Sequence, residues 1–231
     1  MATYDAPQSA GSTQPNGSMT NTDTSRFDAY DDKVAAADLS RYKKNGPRPW
    51  TRTLIEAIKA EGVEGATLLD IGGGIGVIQH ELLDSGAARA TSVEASSAYL
   101  AAAREESGRR GHAGRVTYQH GDFVDLADSI PPADIVTLER VLNVYPEWEL
   151  LASLSAKRAR RLYAVVVPRE TSFVRFVISL INLVLRLRRQ QVRATVIPIN
   201  ELERVGRENG LSQCFVQTVG PAWQVVLYRR A

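Results

Sequence analysis

Cysteine is nearly missing from this sequence: Cys214 is the only one among 231 residues. An internal disulfide is therefore excluded, as is any metal centre built on cysteine clusters. A reducing cytoplasm is the expected setting. Histidine is scarce too. His80, His112 and His120 are the only three, and their spacing matches no metal-ligand pattern, so no metal is expected. No charge of one sign dominates, since 28 Lys and Arg stand against 26 Asp and Glu for a net +2. That balance is too even for nucleic acid to be the main partner. No apolar core follows a basic start, so no signal peptide is expected. The apolar run from Phe173 to Leu185 falls short of the roughly 20 residues that span a bilayer.

What remains is an ordinary globular composition, 44% hydrophobic and 23% charged, with enough chain to bury one sizeable core. Residues 1–25 are Ser, Thr, Asn, Gly, Gln and Ala with almost no large apolar side chain. They cannot offset the entropy of ordering and are expected to be a disordered tail. Residues 26–49 place Phe27, Tyr30, Val34, Leu39 and Tyr42 at roughly helical spacing, which predicts a helical arm of one or two short helices. The "KNGPRPW" stretch interrupts it. From about Trp50 to Ala60, Leu54, Ile55 and Ile58 mark one face of a further helix.

Residues 50–231 then alternate. The segments "ATLLDI", "RATSVEA", "RVTYQHGD", "ADIVTLERV" and "RLYAVVV" read as strands, with helices between them, including "WELLASLSAKRAR" before the fifth. Such alternation predicts an α/β fold with a parallel sheet and helices on both faces. The last two strands, "QCFVQTV" and "AWQVVLYR", are separated by little more than Gly220 and Pro221, so they should form an antiparallel hairpin.

The most informative stretch is "LLDIGGGIGVI", Leu68 to Ile78, where four glycines fall within five positions. Strand, glycine loop and helix in that order offer free N–H groups at a helix start, and glycine lets a ligand come close to the backbone. The dinucleotide pattern G-x-G-x-x-G fails, because Val77 stands at its last position. A phosphate-binding P-loop fails as well, with no Gly-Lys-Ser/Thr. The pattern that fits is D-x-G-x-G-x-G, formed by Asp70, Gly72, Gly74 and Gly76. Glu94 follows at the end of the second strand, at the distance expected of a ribose ligand. Asp122 follows after the third, in "HGDF".

"LLDIGGGIG", "SVEAS" and "GDF" together resemble the first three cofactor motifs of the class I S-adenosylmethionine-dependent methyltransferases. The resemblance runs from about Thr51 to the C-terminus. It implies a Rossmann-like, doubly wound, seven-stranded sheet and S-adenosylmethionine as cofactor, with S-adenosylhomocysteine as product. By that resemblance Gly72 and Gly74 pack against the methionine part, and Asp70 orients the loop beside it. Glu94 accepts from the ribose diol. Asp122 accepts from the adenine amino group, with Phe123 adding its N–H, while Ala95 and Tyr99 pack on the ring.

The acceptor side is less marked. Methyl transfer needs the nucleophile held in line with the methyl, and a base only if the acceptor must lose a proton. The segment after the fourth strand, "LERVLNVYPEW", offers Glu139, Arg140, Asn143 and Tyr145; Arg169 and Glu170 follow the fifth. Together with "RFDAYDDKVAAADLSRY", it resembles a branch near the magnesium-protoporphyrin O-methyltransferases, in which an N-terminal arm with tyrosines folds over the cofactor. Tyr30 and Tyr42 match such an arm. Where the tetrapyrrole enzymes carry a histidine before the Tyr-Pro pair, this chain has Val144. Oxygen of a small molecule is the expected acceptor, with Tyr145, Tyr30 and Asn143 positioning it, Glu139 or Tyr145 as base, and Glu139 and Tyr42 also near the cofactor. The rival expectation is a non-catalytic cofactor-binding partner protein. Residues 173–190, apolar and then basic with Arg186, Arg188 and Arg189, are expected to be a lid, a homodimer interface or a peripheral membrane contact.

Overall fold

The computed structural model describes residues 31–188, 190 and 192–231. The expected tail and Tyr30 lie outside these residues. Helices α1 (Asp32–Asn45) and α2 (Pro49–Ala60) precede a sheet of seven strands. These are β1 (Thr67–Ile71), β2 (Arg89–Glu94), β3 (Val116–His120), β4 (Ala133–Glu139), β5 (Ala159–Pro168), β6 (Leu211–Val219) and β7 (Trp223–Arg230). Between them run α3 (Val77–Asp84), α4 (Ser97–Arg110), α5 (Phe123–Leu126), α6 (Trp148–Arg158), α7 (Ser172–Leu187) and α8 (Ile199–Glu208). The strand order is β3-β2-β1-β4-β5-β7-β6. The five strands β3, β2, β1, β4 and β5 are parallel, and β7 pairs antiparallel with both β5 and β6. This is the expected Rossmann-like sheet with its terminal hairpin.

The central strands are apolar on both faces because helices cover both. Leu69, Ile71, Val136, Leu138 and Val165 belong to one buried cluster, and Leu68, Ile135, Leu162, Ala164 and Val166 to the other. Helix α2 contributes Leu54, Ile55 and Ile58 to the second, and Pro49 sits in its first turn, where a missing N–H costs nothing. The boundary between α6 and β5 differs from the sequence reading, which carries the helix to Arg160. It ends at Arg158 because Ala159 pairs with Ala133 in the sheet. Among the described residues the arm holds one helix, α1. Its buried Ala35, Leu39 and Tyr42 pack with Ile75 and Tyr99.

Candidate active site

The carboxyl ends of β1, β2 and β4 meet one cavity of about 240 Å³. It is lined by Asp70, Gly72, Gly74, Glu94, Tyr99, Glu139 and Arg140 of the residues expected from the sequence. A smaller cavity of about 60 Å³ lies beside it, lined by Ala95, Asp122, Phe123 and Tyr145, and both cavities share Gly72, Glu94 and Val141. The order of strand ends in the sheet sets this row, since ligands of doubly wound sheets sit outside the carboxyl ends.

Asp70 is 1% exposed. Its Oδ1 accepts from the Thr137 hydroxyl at 2.7 Å, while its Oδ2 is buried without a partner. Burial pushes its carboxyl up to about 7, with the Thr137 hydroxyl opposing and the nearby Glu139 and Glu94 adding to the rise. Glu94 is tied to the glycine loop: Oε2 accepts from Gly74 N–H at 3.0 Å and Oε1 from Ser96 N–H at 2.8 Å. Burial raises its carboxyl too, against the backbone N–H groups. A carboxylate has about four acceptor sites, so Glu94 can brace the loop and still accept from a ligand.

Other expected residues are placed differently. Tyr145 donates to Asp122, at 2.9 Å from Oδ2, and lines the smaller cavity with it. Asp122 also caps α5 by accepting from Val124 N–H at 3.0 Å. Glu139 Oε1 accepts from both Trp50 Nε1 and Thr51 Oγ1, each at 2.8 Å. It anchors the start of α2, and burial raises its carboxyl. Asn143, in the 3-10 turn Leu142–Val144, is buried and lines neither cavity. Gly76 is the N-cap of α3 and lines neither as well.

Tyr42, expected near the cofactor, lines neither cavity. Its hydroxyl donates to Glu81 Oε1 at 2.6 Å and accepts from Arg110 Nη2 at 2.7 Å, which pins α1 to α3 and α4 away from both cavities. An aromatic on the buried face of an amphipathic helix packs on whatever that face meets. Tyr42→Phe should lower stability by about 1–2 kcal/mol through the lost charged hydrogen bonds, with cofactor affinity unchanged. Thermal melts and calorimetry check this, and an affinity loss without a shift in melting temperature would contradict it.

The arm reaches the site through residues that the sequence reading passed over. Asp38 and Arg41 of α1 line the larger cavity with Arg48. Asp38 Oδ2 accepts from the Tyr99 hydroxyl at 2.8 Å, and Oδ1 from Arg48 Nη2 at 3.2 Å. Arg41 Nε is buried without a partner. Positions 38 and 41 lie one helical turn apart, a signal available in the sequence. Arg140 also lines the cavity. It has φ 60, the one left-handed non-glycine residue among those described, and its guanidinium stacks on Trp50 at 5.4 Å and on Trp223 at 5.1 Å. Left-handed backbone costs such a residue about 1–2 kcal/mol, and two cation–π contacts offset this. Among the described residues no group of three His, Cys, Asp or Glu could hold a metal.

Two buried polar atoms at this cavity thus want opposite partners: the Asp70 carboxylate oxygen a donor or cation, the Arg41 guanidinium an acceptor or anion. That pair suits a ligand that carries a cation and an anion close together.

The family described as a methyltransferase domain matches residues 68–162. No curated protein matches in sequence. Among solved structures, magnesium protoporphyrin IX methyltransferase from Synechocystis PCC 6803, with bound S-adenosylhomocysteine, has TM-score 0.66 at 17% identity, covering 88% of this chain and 99% of that one. Mitomycin 7-O-methyltransferase has TM-score 0.63 at 23% identity over 90% of this chain and 60% of that one. A putative RNA methyltransferase from Pyrococcus horikoshii has TM-score 0.59 at 16% identity, over 87% and 96%. The fold is common to all three, whereas their acceptors differ.

Proposed function

We propose that this chain is an S-adenosylmethionine-dependent methyltransferase acting on oxygen of a small molecule, and that the accepting group is a carboxylate. The cofactor supplies a methyl group on a sulfonium, already activated for displacement. In this reading Asp70 and Arg41 hold its amino-acid end, with Glu94 at the ribose and Asp122, Ala95 and Phe123 at the adenine.

The choice of carboxylate is supported by what the candidate bases are doing. Glu139 Oε1 takes two hydrogen bonds from α2, and the Tyr145 hydroxyl is spent on Asp122. A carboxylate arrives deprotonated and needs no base, only orientation. Arg140, held against two neighbouring tryptophans at the cavity wall, offers a cation for an acidic acceptor. Neither Tyr145 nor Asn143 is then asked to touch the acceptor.

Methyl-labelled cofactor incubated with the protein and a pool of small carboxylic acids tests this. The expected product is a methyl ester, which releases its label as methanol in mild alkali. A label that survives alkali, in an ether or an amine, would contradict the carboxylate assignment. No transfer to any acceptor would contradict catalysis itself.

A further inference from the structure

Helix α7 turns an apolar side to solvent. Phe173, Phe176, Leu180, Leu183, Val184 and Leu187 are all exposed, Phe176 at 69% and Leu187 at 76%. They recur every three or four residues and so share one face. None of them lines the cofactor cavity, so α7 is no lid over it. The helix is nevertheless held in place. Thr171 caps its start by accepting from Val174 N–H. Asn182 grips the returning chain, donating to the Ala194 carbonyl and accepting from its N–H, each at 2.8 Å. A contiguous apolar face of this size marks an interaction site.

Charge selects the partner. Between Glu170 and Glu201 the sequence has no acid and five arginines, at 175, 186, 188, 189 and 193. Arg175 pairs with Glu170, while Arg186 and Arg188 are exposed at the helix end. A turn of 100° per residue sets Arg175 and Arg186 along one edge of the apolar face. A two-fold dimer through this face would press that face and its basic edge onto a copy of themselves, and the like charges would repel. An anionic lipid surface complements both features, with acyl chains receiving Phe and Leu and headgroups receiving the arginines. No helix among the described residues is long and apolar enough to cross a membrane, so the fitting geometry lies in the interface plane. We infer that α7 docks the protein onto an anionic lipid surface. Because α7 directly follows β5, and Thr195 N–H in the returning segment donates to the Asn143 carbonyl at 2.7 Å, the docked face is tied to the edge of the sheet that carries the site.

Flotation of the full chain with vesicles tests this. Phosphatidylcholine vesicles containing phosphatidylglycerol should carry the protein at low salt, and phosphatidylcholine alone should not. Replacing Phe176, Leu180 and Leu187 together by serine should abolish binding with the melting temperature unchanged. Arg186→Glu with Arg188→Glu should lower binding about tenfold or more. Absence of flotation with anionic vesicles at low salt, or flotation unaffected by the serine variant, would overturn the inference. So would a wild-type dimer that the serine variant converts to monomer without any vesicle binding.

Discussion

Gly72→Ala is expected to weaken cofactor binding by about 100-fold or more and to cost about 2–4 kcal/mol of stability. Two separate causes act at this position. Gly72 has φ +64, a backbone conformation that strains any L side chain, and a Cβ built there would stand 2.5 Å from Val141 Cγ2. Cγ1 and Cβ of Val141, at 3.4 and 3.6 Å, are in ordinary contact, so it is Cγ2 that must move by a turn or shift of Val141. Since Val141 lines both cavities, the displaced methyl groups would enter the space reserved for ligand. Gly111→Ala separates the two causes. Gly111 has φ +73 but nothing within 4 Å of its built Cβ, so it should show only the backbone cost of about 1 kcal/mol and an unchanged affinity. Calorimetric titration of both variants with S-adenosylhomocysteine checks this. Equal affinity losses at the two glycines would show that Val141 is not the obstacle.

The second large effect concerns Asp70 and pH. Its carboxyl rises from 3.8 to about 7 on folding, chiefly through burial. Between those values the folded state keeps a proton that the unfolded chain has lost, so stability falls as pH rises through the window and levels off above about 7. At about 1.4 kcal/mol for each pH unit, the penalty at pH 8 is on the order of 4 kcal/mol. Asp70→Asn removes this slope but buries an amide N–H with no acceptor, a cost of about 1–3 kcal/mol. The variant should therefore be somewhat more stable than the native protein at pH 8, and less so below pH 5. Its affinity for the cofactor should nonetheless fall about tenfold or more, since the cationic ammonium or sulfonium loses its charged partner. Melts from pH 4.5 to 8.5 and calorimetry decide the matter. Parallel melting curves for the two proteins would remove Asp70 as the buried acid of the site. That trade of stability for binding is what a preorganised acid in a ligand cleft produces.

The acids at the strand ends are legible in the sequence because local order places them. Asp70 and Glu94 stand in the last positions of β1 and β2 and Asp122 just past β3, and a parallel sheet brings those ends together. The arm's contribution is not legible in the same way. Asp38 meets Tyr99 across 61 residues of chain, and only the packing of α1 on α4 decides which polar side chains of the helix face the cleft. The same packing turned Tyr42 toward Glu81 and Arg110. Glu139 shows a related difficulty. An acid at the end of β4 suggests a base, yet Trp50 and Thr51, 89 and 88 residues away, make it an anchor for α2. Tyr145 was read by its place after β4, and its side chain reaches back to Asp122. Arg140 is a candidate by its place after β4, but its contact with both Trp50 and Trp223 depends on three distant segments meeting, with no periodicity to announce it. In α7, by contrast, the apolar and basic pattern was plain; what sequence could not say was that its apolar face remains uncovered.

The most direct test of the account is a calorimetric titration of the full-length protein with S-adenosylmethionine and S-adenosylhomocysteine, with NAD and ATP as controls. One S-adenosylmethionine per chain is expected, with binding weakened about 100-fold or more in Gly72→Ala and about tenfold or more in Asp70→Asn, and no heat with NAD or ATP. No binding of S-adenosylmethionine, or equal binding by the native protein and both variants, would contradict the assignment of this cavity.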